Sequence, residues 1–314
     1  MSTNDNVQEI IMQGQPAHTE IERRSLFKTA GAGIAGAAAM SALSAGGVAL
    51  SGGSASAQTT PIGDADIFNF ALNLEYLEAE FYLRAATGSG LAATDVTGTG
   101  TRGTVTGGSL VPFRSEGIQA YAQRIAVDEQ AHVRFIRAVL GTSAIAEPTI
   151  DLQQSFTTLA LAAGLISAGQ TFNPFADDVS FLIGSYIFED VGVTAYGGAA
   201  ALISNKNYLT AAAGILATEA YHSGAIRALL SDLGAGTATN AISALRAKLS
   251  GQADDQGTLL QATGYTNAYN FVTNDINGLT FRRTTSQVLN IVYGGGAAGV
   301  GGLFFPKGMN GRIA

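Results

Sequence analysis

Apolar residues recur at steps of three and four in four long stretches of the chain, and between them the pattern lapses into runs of glycine, threonine and serine. In the first stretch, 64–86, Ile67, Phe70, Leu74, Leu77 and Phe81 fall on one side of a helix that Asp64 can cap. Residues 115–140 repeat the period between Ser115, fit to cap, and Gly141, placed to end the helix. Segments 177–203 and 208–233 supply two more helices, the last stopped by Gly234. Residues 87–108 have no period that would bury a face and read as a loop or crossover. The connection before the third helix contains Pro148 and Pro174, with a short helix expected within 152–168. Beyond Gly234, short helices are expected at 241–249 and 285–293, followed by a glycine-rich tail whose Leu303, Phe304 and Phe305 should pack on the rest. Four long helices make an all-α four-helix bundle the economical architecture, with a long first crossover and a C-terminal extension of short helices and loops.

The N-terminus has a different character. Glu22-Arg23-Arg24-Ser25-Leu26-Phe27-Lys28 precedes an uncharged Ala/Gly-rich run, and Ala55-Ser56-Ala57 fits a small-residue cleavage site. This reads as a twin-arginine export signal over 1–57 that is removed, leaving a periplasmic or extracellular protein. The run is long enough to span a bilayer but only weakly hydrophobic, so no stable membrane insertion is expected after cleavage. The working chain then divides into a bundle over 58–233 and an extension over 234–314.

Composition narrows the chemistry. The chain carries a net charge of −7, and the part after residue 57 keeps 14 Lys/Arg against 20 Asp/Glu with no basic patch, which argues against nucleic acid as a partner. There is no cysteine, so packing or metal must hold the exported fold, and neither an iron–sulfur cluster nor a rubredoxin-type iron site can form. Of three histidines, removal of the signal takes away His18 and leaves His132 and His222.

Each of those two stands three residues after a glutamate, in VDEQAHVRF (Glu129, His132) and ATEAYHSGA (Glu219, His222). On a helix this spacing aims a carboxylate and an imidazole at one point, so each pair could give two metal ligands. A di-metal carboxylate bundle takes one further glutamate from each of its other two helices. The first helix offers Glu75, with Tyr82 seven residues on; the third offers Glu189, with Tyr196 seven residues on. Two weakly similar halves result, each a Glu-Tyr helix followed by a Glu-His helix.

These residues resemble the ferritin-like superfamily of di-iron and di-manganese four-helix bundles. LNLEYLEAEFYLRA (72–85), NGLTFRRTTSQVLNIVYG (277–294) and FFPKGMNG (304–311) are similar, more narrowly, to the desiccation-related ferritin-like proteins. The resemblance implies Glu75, Glu129, His132, Glu189, Glu219 and His222 as ligands of two Fe or two Mn ions, with Glu129 and Glu219 bridging. Glu78, one turn beyond Glu75, could replace it, add an extra carboxylate as in rubrerythrins, or be solvated. Glu75 is favoured because Glu189 repeats its tyrosine spacing, whereas the residue matching Glu78 is Gly192. Glu80 reads as ordinary surface. Asp128 and Asp190, each beside an implied ligand, could accept the N–H of a ligating imidazole or be solvated. Tyr82 and Tyr196 could hydrogen-bond the site or be plain core.

Two function classes follow. One is an exported di-metal redox enzyme acting on peroxide or O2, catalase-like or ferroxidase-like, in stress or desiccation protection. The other is a metal-stabilised structural or protective protein without turnover. A homo-oligomer is compatible with either, whereas iron storage in a cage fits poorly with the signal, the long first connection and the extension.

Overall fold

The computed structural model describes residues 61–260, 268–296 and 298–314. The expected signal over 1–57 lies outside them, and among the described residues no helix is long and apolar enough to cross a membrane. Helix α1 runs Asp64–Thr87, α2 Glu116–Leu140, α3 Gln154–Ala162, α4 Asp178–Ala199 and α5 Lys206–Asp232. Side-chain oxygens of Ser115, Asp177 and Asn205 take the first free amides of α2, α4 and α5, at Ile118, Ser180 and Asn207. Helix α1 differs from expectation, since Gly63 is its cap residue. Asp64 is drawn away to accept from the amides of Ser204 and Asn205 at 2.9 and 2.8 Å, fastening the start of α1 to the α4–α5 turn.

Cross-helix pairs give the directions. Asn69 reaches Ser143 just past α2 while Glu75 meets His132, so α1 and α2 form an antiparallel hairpin. Tyr186 meets Arg227 and Glu189 meets His222, which makes α4 and α5 a second one. Tyr196 meets Glu75 and Phe188 packs on Phe81, so the hairpins face each other with α1 antiparallel to α4. Phe81 is the hub of the aromatic core, its ring 5.3 to 5.7 Å from those of Phe156, Phe175, Phe181 and Phe188. Phe304 from the tail joins them, 5.2 Å from Phe156 and 4.9 Å from Phe188.

The two connections carry structure that the apolar pattern does not announce. Strand β1 (Val105–Gly107) pairs in parallel with β2 (Ile150–Leu152), joining the first loop to the second. Asn310 ties in the tail through Thr101, Ala146 and the Asn73 side chain. Glu80, expected on the surface, is only 2 % exposed. The loop folds over it, so that its carboxylate accepts from Arg84 Nε at 2.6 Å and from the Leu91 amide at 2.7 Å. Beside it Glu147 is also buried, and burial followed by the charge of Glu80 pushes the Glu147 carboxyl up to about 8.

The extension comprises α6 (Gly236–Ser250), an antiparallel ribbon of β3 (Leu259–Leu260) and β4 (Ala268–Tyr269), and α7 (Thr285–Val292). It is locked to the bundle by three fully buried arginines, Arg227, Arg246 and Arg283. Asp190 of α4 accepts from Arg227 at 2.9 Å and from Arg246 at 2.8 Å. Arg246 and Arg283 both bind Asp255 at 2.8 Å, and Arg283 also binds Asp254. Buried charge is tolerable only when paired in this way.

Two outcomes test this architecture. Arg246→Ala leaves Asp190 and Asp255 short of a buried partner and should cost about 3–5 kcal/mol, read from denaturant unfolding. Glu147 has an ordinary value of 4.5 and a folded value of about 8, so between them the folded chain holds a proton that the unfolded chain has released. Its contribution to stability therefore falls as pH rises through that window. Glu147→Gln should remove the fall, gaining on the parent at pH 8 relative to pH 5 in urea midpoint.

Candidate metal centre

One inward turn of each long helix supplies the centre. Glu75 comes from α1, Glu129 and His132 from α2, Glu189 from α4, and Glu219 and His222 from α5; the four carboxylates are at most 1 % exposed and the imidazoles 8 % and 6 %. His132 Nδ1 lies 3.2 Å from Glu75, 3.4 Å from Glu129 and 3.4 Å from Glu219. His222 Nδ1 lies 3.1 Å from Glu129 and 3.4 Å from Glu189. Two overlapping groups result, Glu75-Glu129-His132-Glu219 and Glu129-Glu189-Glu219-His222, each with ligand atoms within 4.8 Å of one another. Glu129 and Glu219 belong to both, as bridging residues would. All six implied ligands thus meet in one place.

The cluster cannot satisfy itself. One imidazole N–H faces two or three carboxylates, and buried oxygens of Glu75, Glu129, Glu189 and Glu219, with His222 Nδ1, have no hydrogen-bond partner. Burial pushes the Glu75 carboxyl up to about 7 and drives Glu78, Glu189 and Glu219 upward too, with neighbouring carboxylates adding to the rise in Glu78 and Glu219. Glu129 also feels burial, but the nearby imidazoles of His132 and His222, 3.4 and 3.1 Å away, hold it at about 2. The imidazoles resist burial and are pushed far up, His132 chiefly by Glu75 and His222 chiefly by Glu189. A set of buried oxygen and imidazole donors this short of positive charge fits divalent cations.

The surrounding groups orient the donors. Tyr196 of α4 donates to Glu75 of α1, and Tyr82 of α1 is buried with its hydroxyl toward Glu189 of α4, without closing a bond of good geometry. Each tyrosine therefore serves the glutamate of the opposite helix, which the antiparallel crossing dictates. Asp128 takes the expected place beside an imidazole, 3.2 Å from His222 Nε2, and is itself held by Arg124 at 2.6 Å. Asp190 does not: it accepts from Ser223 at 2.6 Å and from the buried arginines, anchoring the backbone next to Glu189 and His222 instead. Glu78 is buried, not solvated, and stands inside the centre outside both four-residue groups. Its helical counterpart Gly192 explains itself, since a Cβ there would come within 2.5 Å of Glu219 Oε2 and 3.4 Å of Glu78 Oε1.

A family model described as "Ferritin-like domain" matches residues 63–232, which hold all four long helices and every residue of the cluster. The chain belongs to the ferritin-like family. Among curated proteins, this ferritin-like chain is 29 % identical over 272 residues to the ferritin-like catalase Nec2 of Nesocodon mauritianus, covering 80 % of this chain and 85 % of that one. It is 30 % identical over 271 residues to the desiccation-related protein PCC13-62 of Craterostigma plantagineum, covering 80 % and 84 %. Both alignments are longer than the 63–232 domain, so the similarity extends beyond the ferritin-like bundle. No solved structure gives a significant match.

The electrostatics predict opposite pH dependences for the bare and loaded protein. Without metal, folded Glu75 keeps a proton between 4.5 and about 7 that the unfolded chain has released; Glu78, Glu189 and Glu219 act likewise, and the imidazoles retain theirs above 6.5. The stabilisation from depressed Glu129 is already complete above 4.5, so stability of the bare chain should fall as pH rises through this window. Cations bound there would replace those protons, and the stabilisation by added Fe(II) or Mn(II) should grow over the same range, seen as Tm at about pH 5.5 and 8 with and without metal.

Proposed function

We propose that this ferritin-like protein is exported and holds a pair of Fe or Mn ions that act on hydrogen peroxide, in the manner of a catalase, protecting against oxidative or desiccation stress. The observation that carries the reading is the pair of overlapping four-residue groups sharing Glu129 and Glu219, with buried oxygens left unpartnered in the chain. The similarity to the catalase Nec2 over most of both chains supports it.

Such a metal pair supplies reversible redox change and Lewis-acid polarisation of an oxygen–oxygen bond. The chain's residues supply the rest. Glu129 and Glu219, common to both groups, fix the spacing; Asp128 holds His222 by its far nitrogen, and Tyr196 holds Glu75. Phe188 and Phe304 line one small enclosed space with Glu78 and Gly192, an apolar wall that keeps bulk water from the acids there. Disproportionation reduces one peroxide to two waters, taking up two protons, and oxidises another to O2, releasing two. Glu78, buried beside Glu219 and favouring its protonated form, is the group placed to hold such a proton at its carboxyl. Gly192 leaves the carboxylates unobstructed where a side chain would collide.

A non-catalytic role in which metal holds the bundle together has one observation in its favour, the near-complete burial of the cluster. O2 acting in place of peroxide, as in a ferroxidase, would use the same residues.

Protein recovered by its native export route should contain about two Fe or Mn per chain by elemental mass spectrometry and evolve O2 from peroxide. Glu129→Ala/Glu219→Ala should lose both, with helical circular dichroism retained. Metal without turnover of peroxide or O2 would favour the structural role, and absence of metal would sink both. Glu78→Gln should keep the metal and slow turnover by about 10²-fold or more.

A further inference from the structure

Away from the metal centre, α3, α6 and the segment after α7 enclose a half-open groove of about 510 Å3. Its walls are mainly apolar: Leu159 from α3, Leu245 and Leu249 from α6, and Tyr293 and Leu303 beyond α7. Leu159 and Tyr293 are buried at its floor, while Leu245, Leu249 and Leu303 stay partly open toward it. The volume lies in the range of small-molecule sites, which combine an apolar lining with a few polar groups that fix orientation.

The polar groups here are few and unequal. Asp151 is already engaged, its Oδ1 accepting from the amides of Gln153 and Gln154 at 2.7 and 3.0 Å at the start of α3. Lys248, the one cation of the lining, is exposed at the mouth and has neither ion pair nor hydrogen bond among the described residues. Ser155, also in the lining, is buried with a hydroxyl that finds no partner. The groove therefore offers apolar surface in depth, one lysine with no acid within ion-pair distance at its mouth, the charge of Asp151 held by amides at the start of α3, and one unmatched hydroxyl.

We propose that this groove binds an amphipathic monoanion of the medium-chain carboxylate class, its hydrocarbon against Leu159, Leu245 and Leu249 and its carboxylate at Lys248. The apolar body follows from the walls, since removing their surface and the ligand's from water stabilises the complex by about 25 cal/mol per Å2. The place of the carboxylate follows from Lys248, the lining's one cation and free of any ion pair among the described residues, and the charge of Asp151 keeps the anion at that end. Concavity on three sides favours a small molecule over a flat partner surface. None of this rests on the metal-dependent function.

Calorimetric titration of the purified exported protein with decanoate, below its micelle concentration, tests the proposal, with decanol as the neutral match. The expected result is saturable one-to-one binding of decanoate. Lys248→Met, which keeps an unbranched stem and removes the charge, should weaken decanoate about fivefold and leave decanol unchanged. Ala162→Trp, at an exposed position of the lining, should abolish binding of both without altering Tm. No saturable binding by the parent overturns the site, and an Ala162→Trp protein that binds normally places the ligand elsewhere. Equal affinity of parent and Lys248→Met for decanoate overturns the anion assignment. That surface variant keeps the test decisive if the tryptophan disturbs α3.

Discussion

Burial of five carboxylates and two imidazoles at the middle of a helical bundle is the constraint from which the other features of the structure follow. Glu75, Glu78, Glu129, Glu189 and Glu219 are each at most 5 % exposed, and two imidazoles cannot neutralise them. A bundle with such a centre must spend its packing elsewhere. The aromatic hub around Phe81, the Phe156–Phe188–Phe304 contacts and the arginine lattice on Asp190 supply that packing. Packing and ion pairs thus hold α1 and α4 in register against a centre whose own charge pushes it apart.

This division of labour gives the extension its place. Arg246 and Arg283 come from beyond the bundle, yet Arg246 ends on Asp190, the neighbour of Glu189, and Arg283 also binds Thr194 on the same helix. Ser223, adjacent to His222, donates to the same Asp190. A displacement of α6 would therefore be felt one residue from a candidate ligand on α4 and one residue from another on α5. The alignments with both relatives, which run well beyond the four helices, fit an extension that belongs to the folding unit.

Much of this was legible in the chain, for physical reasons. The long helices were readable because each buries one face, and the six clustered residues because the Glu-x-x-His and Glu-x6-Tyr spacings are dictated by the helical turn. What stayed hidden depends on contacts between segments. Strands β1 and β2 are three residues each and pair across 45 positions, Val105 with Ile150, so no periodicity marks them. Glu80 looked like surface because its burial comes from a loop folding over it, not from the face of its own helix. Asp190 has the same explanation: its position beside Glu189 left an imidazole partner or solvent open, whereas Arg227 of α5 and Arg246 of α6 take it.

The approximate twofold relation between the halves makes their one clear departure from it informative. Glu75 and Glu189 correspond, as do Tyr82 and Tyr196, and the two tyrosines cross to the opposite glutamates. Glu78 and Gly192 do not correspond in chemistry. A side chain at 192 would meet Glu219 Oε2 at 2.5 Å, so the space for a symmetric second carboxylate is already taken by a shared one. The site can carry a fifth acid on the α1 side only, and that acid is the one left over when the two four-residue groups are filled. An otherwise balanced centre thereby carries one carboxyl too many, Glu78 on α1, which burial drives toward its protonated form beside the space left by the missing side chain of α4.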